Sequence, residues 1–523
     1  MDDGQDETPS SALNRLARLL RSGALFIAIG YVGLYLSVAL LRVTYPFDLE
    51  WMEGGSVEHV RRVLTGRPIY LAPSLEFIPY PYPPLYYYVS AAVAQMLGVT
   101  PTSLRLVSIV SSLASFVAIY LLVKRETGNR YAAGLAAGLF AATFRIAGAW
   151  FDIARVDSLF LALFLSGLYL IRAHTKHTML VCAGAGLLFS LAILTKQTAL
   201  VMTGPVILCL AMTDVRRALI LIGVVGLVAG GGTLALDYLS NGWYTYYIFE
   251  LPAQFAARLV RPRLVFFWTD DILSPLTIAC GLAAIGLAGM LSTSKSRGGF
   301  YLVVTAGMLL AAWLPRLQSG GYDNTLMPAF AGIAILFGIG VHEIMQYAQR
   351  WSPKERVVFG IGVYSFCILQ FAGLLYNPIT QIPTQRDENA GRALIGKLAQ
   401  IPGRIFMPYH SGCYVPELME RCGSAHQMSI SDIRQFGSDD ARAMLADDYR
   451  RAITEKRFDV ILLDTEAPRL LAEIEKHYVM QELDLGGANV LWPLTGARTR
   501  PRLMFVPRTT FASPAARTSA QPR

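Results

Sequence analysis

The reading of the chain turns on residues 44–88, TYPFDLEWMEGGSVEHVRRVLTGRPIYLAPSLEFIPYPYPPLYYY. Three acids, Asp48, Glu50 and Glu53, fall within six residues and are followed by Gly54-Gly55. A short amphipathic segment comes next, with Val57, Val60, Val63 and Leu64 three to four residues apart. Ser56 is the expected N-cap and Gly66 the expected stop of a short helix lying on a membrane surface. A proline-aromatic run leads through Pro83-Pro84 into a second short helix over Leu85–Leu97. The whole stretch follows directly on the first membrane-length apolar segment.

Working outward, the composition excludes an ordinary soluble protein. Of 523 residues, 54% are hydrophobic and only 16% charged, with a mean hydropathy of +0.42. Apolar runs of membrane-spanning length recur along the chain. They lie near 23–41, 102–123, 131–149, 158–171, 178–194, 198–212, 217–236, 272–291, 300–314, 326–346 and 356–376, about eleven spans. The net charge of +9 does not imply nucleic acid, because Lys and Arg occur in short clusters between these runs. Cys182, Cys209, Cys280 and Cys367 lie inside apolar runs and read as small core residues, whereas Cys413 and Cys422 are the pair available for a bridge.

The positive-inside rule sets the expected orientation. With the N-terminal tail (1–22) inside, alternate connections carry Lys124, Arg125 and Arg130; Arg172 and Lys176; Arg216 and Arg217; Lys295 and Arg297; and Arg350, Lys354 and Arg356. The opposite connections carry Asp48, Asp152, Asp157, Asp270, Asp271 and Asp323. An odd number of spans then places everything after Tyr376 outside. Two outer loops are long, 44–101 and 237–271, the second rich in interfacial aromatics.

From about residue 384 the pattern changes. A helix is expected over 387–400, a strand at GRIFMPY (403–409), a helix over 439–456 and a strand at FDVILLD (458–464). YVMQEL, NVLWPL and RLMFVP supply further strands, so residues 384–508 read as a small α/β domain with a partly parallel sheet. No glycine-rich phosphate loop follows any of these strands. The polar residues 509–523 read as disordered.

The chemistry-bearing residues cluster on the expected outer face. One carboxylate of Asp48, Glu50 and Glu53 can act as general base toward a hydroxyl, or two can share a divalent cation such as Mg or Mn. Against this stands the plain alternative of solvated loop acids. In WFDIARVD, Asp152, Arg155 and Asp157 are candidates for holding substrate, or else an ion-paired helix end. Lys196 and Gln197 lie on the outer side against the charge trend, and Arg258, Arg261 and Arg263 interleave with aromatics in the second loop. These cations either snorkel to the membrane interface with no further role or hold a phosphate, whose oxygens the guanidinium fork matches. Tyr322, Asp323 and Asn324 follow Gly320-Gly321 as candidates for orienting a sugar. His59 has no neighbouring metal-ligand spacing.

The acids after the first span, then Gly66, Tyr70 and the run PYPPLYYY, resemble the bacterial protein-mannosyltransferase-like group, which includes the aminoarabinose transferases, within the GT-C glycosyltransferase superfamily. FDIARVDSLFLALFLSGLYL, TKQTAL and GGYDNTLMPA are similar to stretches of bacterial members, and the likeness covers residues 25–376. It implies a mainly α, polytopic GT-C membrane domain (23–376) with surface-lying helices in the first outer loop. It also implies a bacterial inner-membrane enzyme that transfers a sugar from a polyprenyl-phosphate carrier, with inversion, to a lipid, glycan or protein acceptor outside. By the same resemblance a first-loop acid is implied as the base, and Tyr82 and Tyr86 of the tyrosine run join the substrate-binding candidates. The adjacent Asp-Glu pair usual in the family is replaced here by Met52-Glu53, with Asp48 and Glu50 up to a helical turn earlier. Two other classes compete: a transporter of lipid-linked sugar, which requires ionisable groups at mid-membrane and internal repeats, and an envelope assembly protein acting through the domain after residue 384.

Overall fold

The computed structural model describes residues 11–172, 178–256, 259–318, 320–410, 416–464 and 468–508. Each of the eleven apolar runs forms a helix. They are α1 (Ser11–Arg42), then, after the two loop helices α2 (Glu53–Leu64) and α3 (Leu85–Leu97), α4 (Pro101–Thr127), α5 (Arg130–Ala142), α6 (Asp157–Arg172), α7 (Thr178–Ile193) and α8 (Ala199–Thr213). The helices Val215–Leu239, Arg263–Thr293, Lys295–Arg316, Asp323–Arg350 and Pro353–Ala372 complete the set. Seven of the eleven are long and apolar enough to cross a bilayer unaided. The other four, α5 to α8, have 13 to 16 residues.

Local chemistry explains where the helices stop. Pro101 occupies the first turn of α4, where its missing N–H costs nothing. Asn129 then caps α5 by accepting from the amides of Tyr131 and Ala132. Between spans, small residues let backbones approach. A Cβ on Gly286 would fall 2.1 Å from the Gly340 Cα, so this crossing of Arg263–Thr293 and Asp323–Arg350 requires glycine on both sides.

Several boundaries depart from expectation: α5 ends at Ala142 rather than near 149, and the helix Arg263–Thr293 takes in residues 263–271 of the expected 237–271 loop. α1 begins at Ser11, twelve residues before its apolar run, so part of the expected 1–22 tail is helix. α2 begins at Glu53 rather than after Ser56, because Asp48 already serves its free amides: Gly54 N donates to Asp48 Oδ1 at 3.1 Å. α3 falls where the sequence places it.

After Thr384, which caps the helix Gln385–Gln400 in a reciprocal box with Asp387, comes a four-stranded sheet. Its strands are β1 (Ile405–Phe406), β2 (Val460–Leu463), β3 (Tyr478–Glu482) and β4 (Leu503–Pro507), in the order β1-β2-β4-β3. β1 and β2 are parallel and the remaining pairs antiparallel. The parallel pair needs a crossover, which the helices Gln427–Phe436 and Asp439–Thr454 supply. NVLWPL, expected as a strand, does not join the sheet. Pro493 cannot donate to a ladder, and the segment instead runs back to the first loop, where Leu494 N and Thr495 N donate to Leu49 O at 2.9 and 3.2 Å. Cys182, Cys209, Cys280 and Cys367 are free thiols. The Cys413–Cys422 option falls on Cys413, outside the described residues.

Candidate active site

The three loop acids have separate fates. Glu53 is fully buried and saturated. It receives Arg105 Nη2 at 2.6 Å and Nε at 3.0 Å, and the amides of Leu49 and Ala154 at 2.7 and 2.8 Å. Burial pushes its carboxyl up, but the Arg105 guanidinium and these amides outweigh it and hold the group below the usual carboxylate range. Asp48 caps α2 and faces His410 Nδ1 at 3.2 Å. His410 in turn faces Asp464 at 3.4 Å, which ties the first loop to the end of β2.

Glu50 differs from both. It is fully buried, yet one carboxylate oxygen, Oε1, has no hydrogen-bond partner among the described residues. Its other oxygen accepts from Met52 N at 3.2 Å and faces Arg155 Nη1 at 3.4 Å. Burial raises its carboxyl, Arg155 opposes, Glu53 adds to the rise, and the outcome is about 8. A carboxyl so placed can take up a proton near neutral pH.

Glu50 opens on a cavity of about 300 Å³ at the loop end of the helix bundle. Tyr82, Arg155, Lys196, Gln197, Tyr322 and Asn324 also line it, so residues scattered over some 270 positions of sequence meet at one place. Arg155 lies against the rings of Tyr80 and Tyr82, its carbon 5.3 and 5.5 Å from their centroids. Lys196 Nζ pairs with Asp157 Oδ1 at 2.6 Å, and Asn324 Nδ2 donates to the same oxygen at 3.0 Å. Gln197 is held by its amide nitrogen on Pro81 O, while Tyr322 stacks on Trp150. Among the described residues, polar atoms without partners gather here: besides Glu50 Oε1, Trp150 Nε1 and Gln197 Oε1 are buried and unpaired on the lining, and Asp157, which holds Lys196, keeps its Oδ2 unpaired. Such atoms carry a desolvation cost that a bound polar molecule would relieve.

Other candidates lie elsewhere. Asp152 is buried against Arg42, 2.6 Å away, and does not line the cavity. Tyr86 is buried with its hydroxyl on Leu104 O and Ser108. Asp323 pairs with Arg316 at 3.0 Å. Arg263 donates to the carbonyls of Arg316 and Gln318, and Arg261 is exposed. Arg258 lies outside the described residues. Among the described residues no cluster of three or more acids, histidines or cysteines is arranged to hold a metal ion. His59 is a core histidine, with Nδ1 2.6 Å from Gly55 O and Nε2 accepting from Tyr80 N. Burial keeps it neutral, its pKa lowered to about 3.

Several contributors were not singled out from sequence. Arg105 reads as one basic residue in an apolar run. Met428, Ser429, Asp432 and Phe436 of the soluble domain also line the cavity; nothing local marks them, because only the tertiary fold carries the Gln427–Phe436 helix to the loop.

A family model described as dolichyl-phosphate-mannose-protein mannosyltransferase (PMT_2) matches residues 81–240. No curated protein sequence matches the chain. Among solved structures, the crystal structure of ArnT from Cupriavidus metallidurans in the apo state superposes with a TM-score of 0.58 at 11% identity, over 91% of this chain and 98% of that one. The same protein bound to undecaprenyl phosphate gives 0.56 at 11% identity, over 93% and 99%. The resemblance read from the sequence is met on two counts: residues 81–240 match the mannosyltransferase family model, and the chain as a whole has the fold of ArnT.

Proposed function

We propose that this protein is an integral-membrane glycosyltransferase that moves a sugar from a polyprenyl-phosphate-linked donor to an acceptor hydroxyl of a lipid, glycan or protein. The observation that carries the reading is the meeting of Glu50, Arg155 and Lys196 in one cavity at the loop end of the bundle. The match to the mannosyltransferase model and the similarity to an ArnT that binds undecaprenyl phosphate support it.

In this reading residues 23–376 form the catalytic membrane domain, with the N-terminus cytoplasmic. The first loop and the domain 384–508 face the outside of a bacterial inner membrane. Glu50 takes the proton of the acceptor hydroxyl as its oxygen bonds to the anomeric carbon. The bond from that carbon to the phosphate oxygen breaks in the same displacement, so the configuration inverts. The electron pair leaves with the carrier phosphate, whose growing charge Arg155 and Lys196 balance. Asp48, Glu53 and Asp157 hold the framework. Asp48 and Glu53 shape the loop, and Asp157 fixes Lys196. Tyr82, Gln197, Tyr322 and Asn324 position the sugar.

The test is purified protein given radiolabelled polyprenyl-phosphate hexoses and pentoses with lipid, glycan and peptide acceptors. Transfer, or release of carrier phosphate, is expected with at least one donor and is expected to disappear in Glu50→Gln. Absence of both products for every donor overturns the reading.

A further inference from the structure

The helix Gln427–Phe436 of the soluble domain roofs the cavity, and it is fixed at both ends to the membrane domain's loops. At its start, His426 caps the helix by accepting from Met428 N at 3.1 Å. The same ring has Nε2 3.1 Å from Trp51 O and stands edge-on to Trp51 at 4.8 Å. At its end, Phe436 packs edge-on against Phe255 of the second outer loop at 4.9 Å, and Ser438 N donates to Tyr246 Oη at 3.1 Å. The roof therefore has a set position over Glu50.

Its two faces differ. Gln427, Ile430 and Arg434 turn toward a separate cavity lined by the soluble domain and by Leu75 of the first loop. Met428, Ser429, Asp432 and Phe436 turn toward the cavity that holds Glu50. Ser429 and Asp432 stand three residues apart, hence side by side on one helix face. Ser429 Oγ is buried without a hydrogen-bond partner among the described residues. Asp432 is 8% exposed and makes no hydrogen bond or ion pair with the described residues. Burial pushes its carboxyl up to about 7. A carboxyl opening on the cavity beside a buried, unpaired hydroxyl complements a pair of sugar hydroxyls, each of which can both donate and accept.

We infer that Asp432 and Ser429 form a sugar-selecting subsite through which the soluble domain reads hydroxyl groups of the donor's sugar, a deepening that rests on the function proposed above. The donor is chosen over the acceptor by geometry. The polyprenyl tail keeps the phosphate at head-group depth, so the sugar beyond it projects away from the membrane toward the roof.

The experiment uses the full chain and compares unmodified protein with Asp432→Asn and Ser429→Ala. The probes are a polyprenyl-phosphate hexose that the unmodified protein accepts and its singly deoxygenated analogues, with undecaprenyl phosphate as competitive inhibitor. Asp432→Asn is expected to raise KM for the hexose donor about 10- to 100-fold with kcat within about threefold, the range for one hydrogen bond to a charged group. It is also expected to stop distinguishing the hexose from one deoxygenated analogue, while inhibition by undecaprenyl phosphate stays unchanged. Ser429→Ala, which removes only a hydroxyl, gives the same pattern at smaller size and serves should Asp432→Asn fold poorly. An unchanged donor KM with discrimination intact overturns the subsite, as does a rise confined to the acceptor's KM or a shift in undecaprenyl phosphate inhibition. No transfer by the unmodified protein from any donor overturns the parent reading and this one with it.

Discussion

The two ends of the helix bundle treat charge in opposite ways. At the end away from the first loop, Glu126 of α4 receives Arg172 of α6 at 2.6 Å and Arg297 at 3.0 Å, and Arg297 also reaches Glu343 at 3.0 Å. Every carboxylate in that network has a cation, and it reads as a clamp among four helices. At the loop end the same helices carry charges again, but the pairing is incomplete. Arg105 of α4 satisfies Glu53 and Asp157 of α6 holds Lys196, whereas Glu50 keeps a bare oxygen and a long contact to Arg155. A buried carboxyl left without full pairing is the arrangement expected where a bound molecule completes it, which is the reading proposed above for the loop end.

The sharpest break in this comparison is Glu50→Gln. It should lower kcat by about 10²–10⁴-fold, the usual contribution of a positioned general base, with the thermal unfolding midpoint close to that of unmodified protein. Equal loss of activity in Glu50→Gln and in a variant of the opposite clamp would erase the distinction.

Next in size is Gly496→Ala. Gly496 has φ +78, and a Cβ there would lie 2.9 Å from Glu50 Oε1 and 2.7 Å from Trp51 Cδ1. Displacing Glu50 by even an ångström should cost about 10²-fold in kcat/KM, measured beside an alanine substitution at Gly486, whose added Cβ would touch nothing within 4 Å although its φ is also positive.

The pH profile sharpens the comparison further. Glu50 must be ionised to accept a proton and sits near pH 8 when free, so kcat/KM should rise with pH up to about 8 and then level. Arg155 is the group that pulls Glu50 down. Arg155→Gln should therefore move the rising limb to higher pH as well as weaken donor binding; a limb moving lower contradicts the assignment.

His410 gives a stability effect. Burial lowers its pKa, but Asp464 and Asp48 more than reverse that, raising it from the ordinary 6.5 to about 9. The sign follows: the folded state binds the proton more tightly, so this stabilisation is complete below about 6.5 and is lost as pH rises through about 9. Thermal unfolding between those values should show a decline that His410→Gln flattens. The smallest effect is expected from Arg297→Ala, which leaves Glu126 with Arg172. It should cost about 1 kcal/mol of stability and leave kcat unchanged.

The sequence revealed the membrane part of this fold well because its signals are local. Apolar length fixed the eleven helices, and the breaks at Pro84, Pro101 and Gly66 delimited the loop helices within a few residues. Lys196, Gln197, Tyr322 and Asn324 stood out because polar residues at span ends are conspicuous. Choosing among Asp48, Glu50 and Glu53 was beyond it, since the difference lies in Arg105, 52 positions after Glu53, and His410, 362 positions after Asp48. Asp432 was equally silent: on its own helix it is one acid on an amphipathic surface, and only the docking of the domain buries it.

The return of residues 494–496 to the first loop has a consequence for how the protein is made. Leu49, Glu50 and Trp51 leave the ribosome early, and the first helix can enter the membrane while most of the chain is still unmade. Yet the backbone that braces them through Leu49 O, and the glycine that leaves room for the Glu50 carboxylate, are translated more than 440 residues later. Residues 23–376 alone thus lack this brace, and no intermediate of synthesis holds the Glu50 loop in place until residues 494–496 have been made and have packed against it.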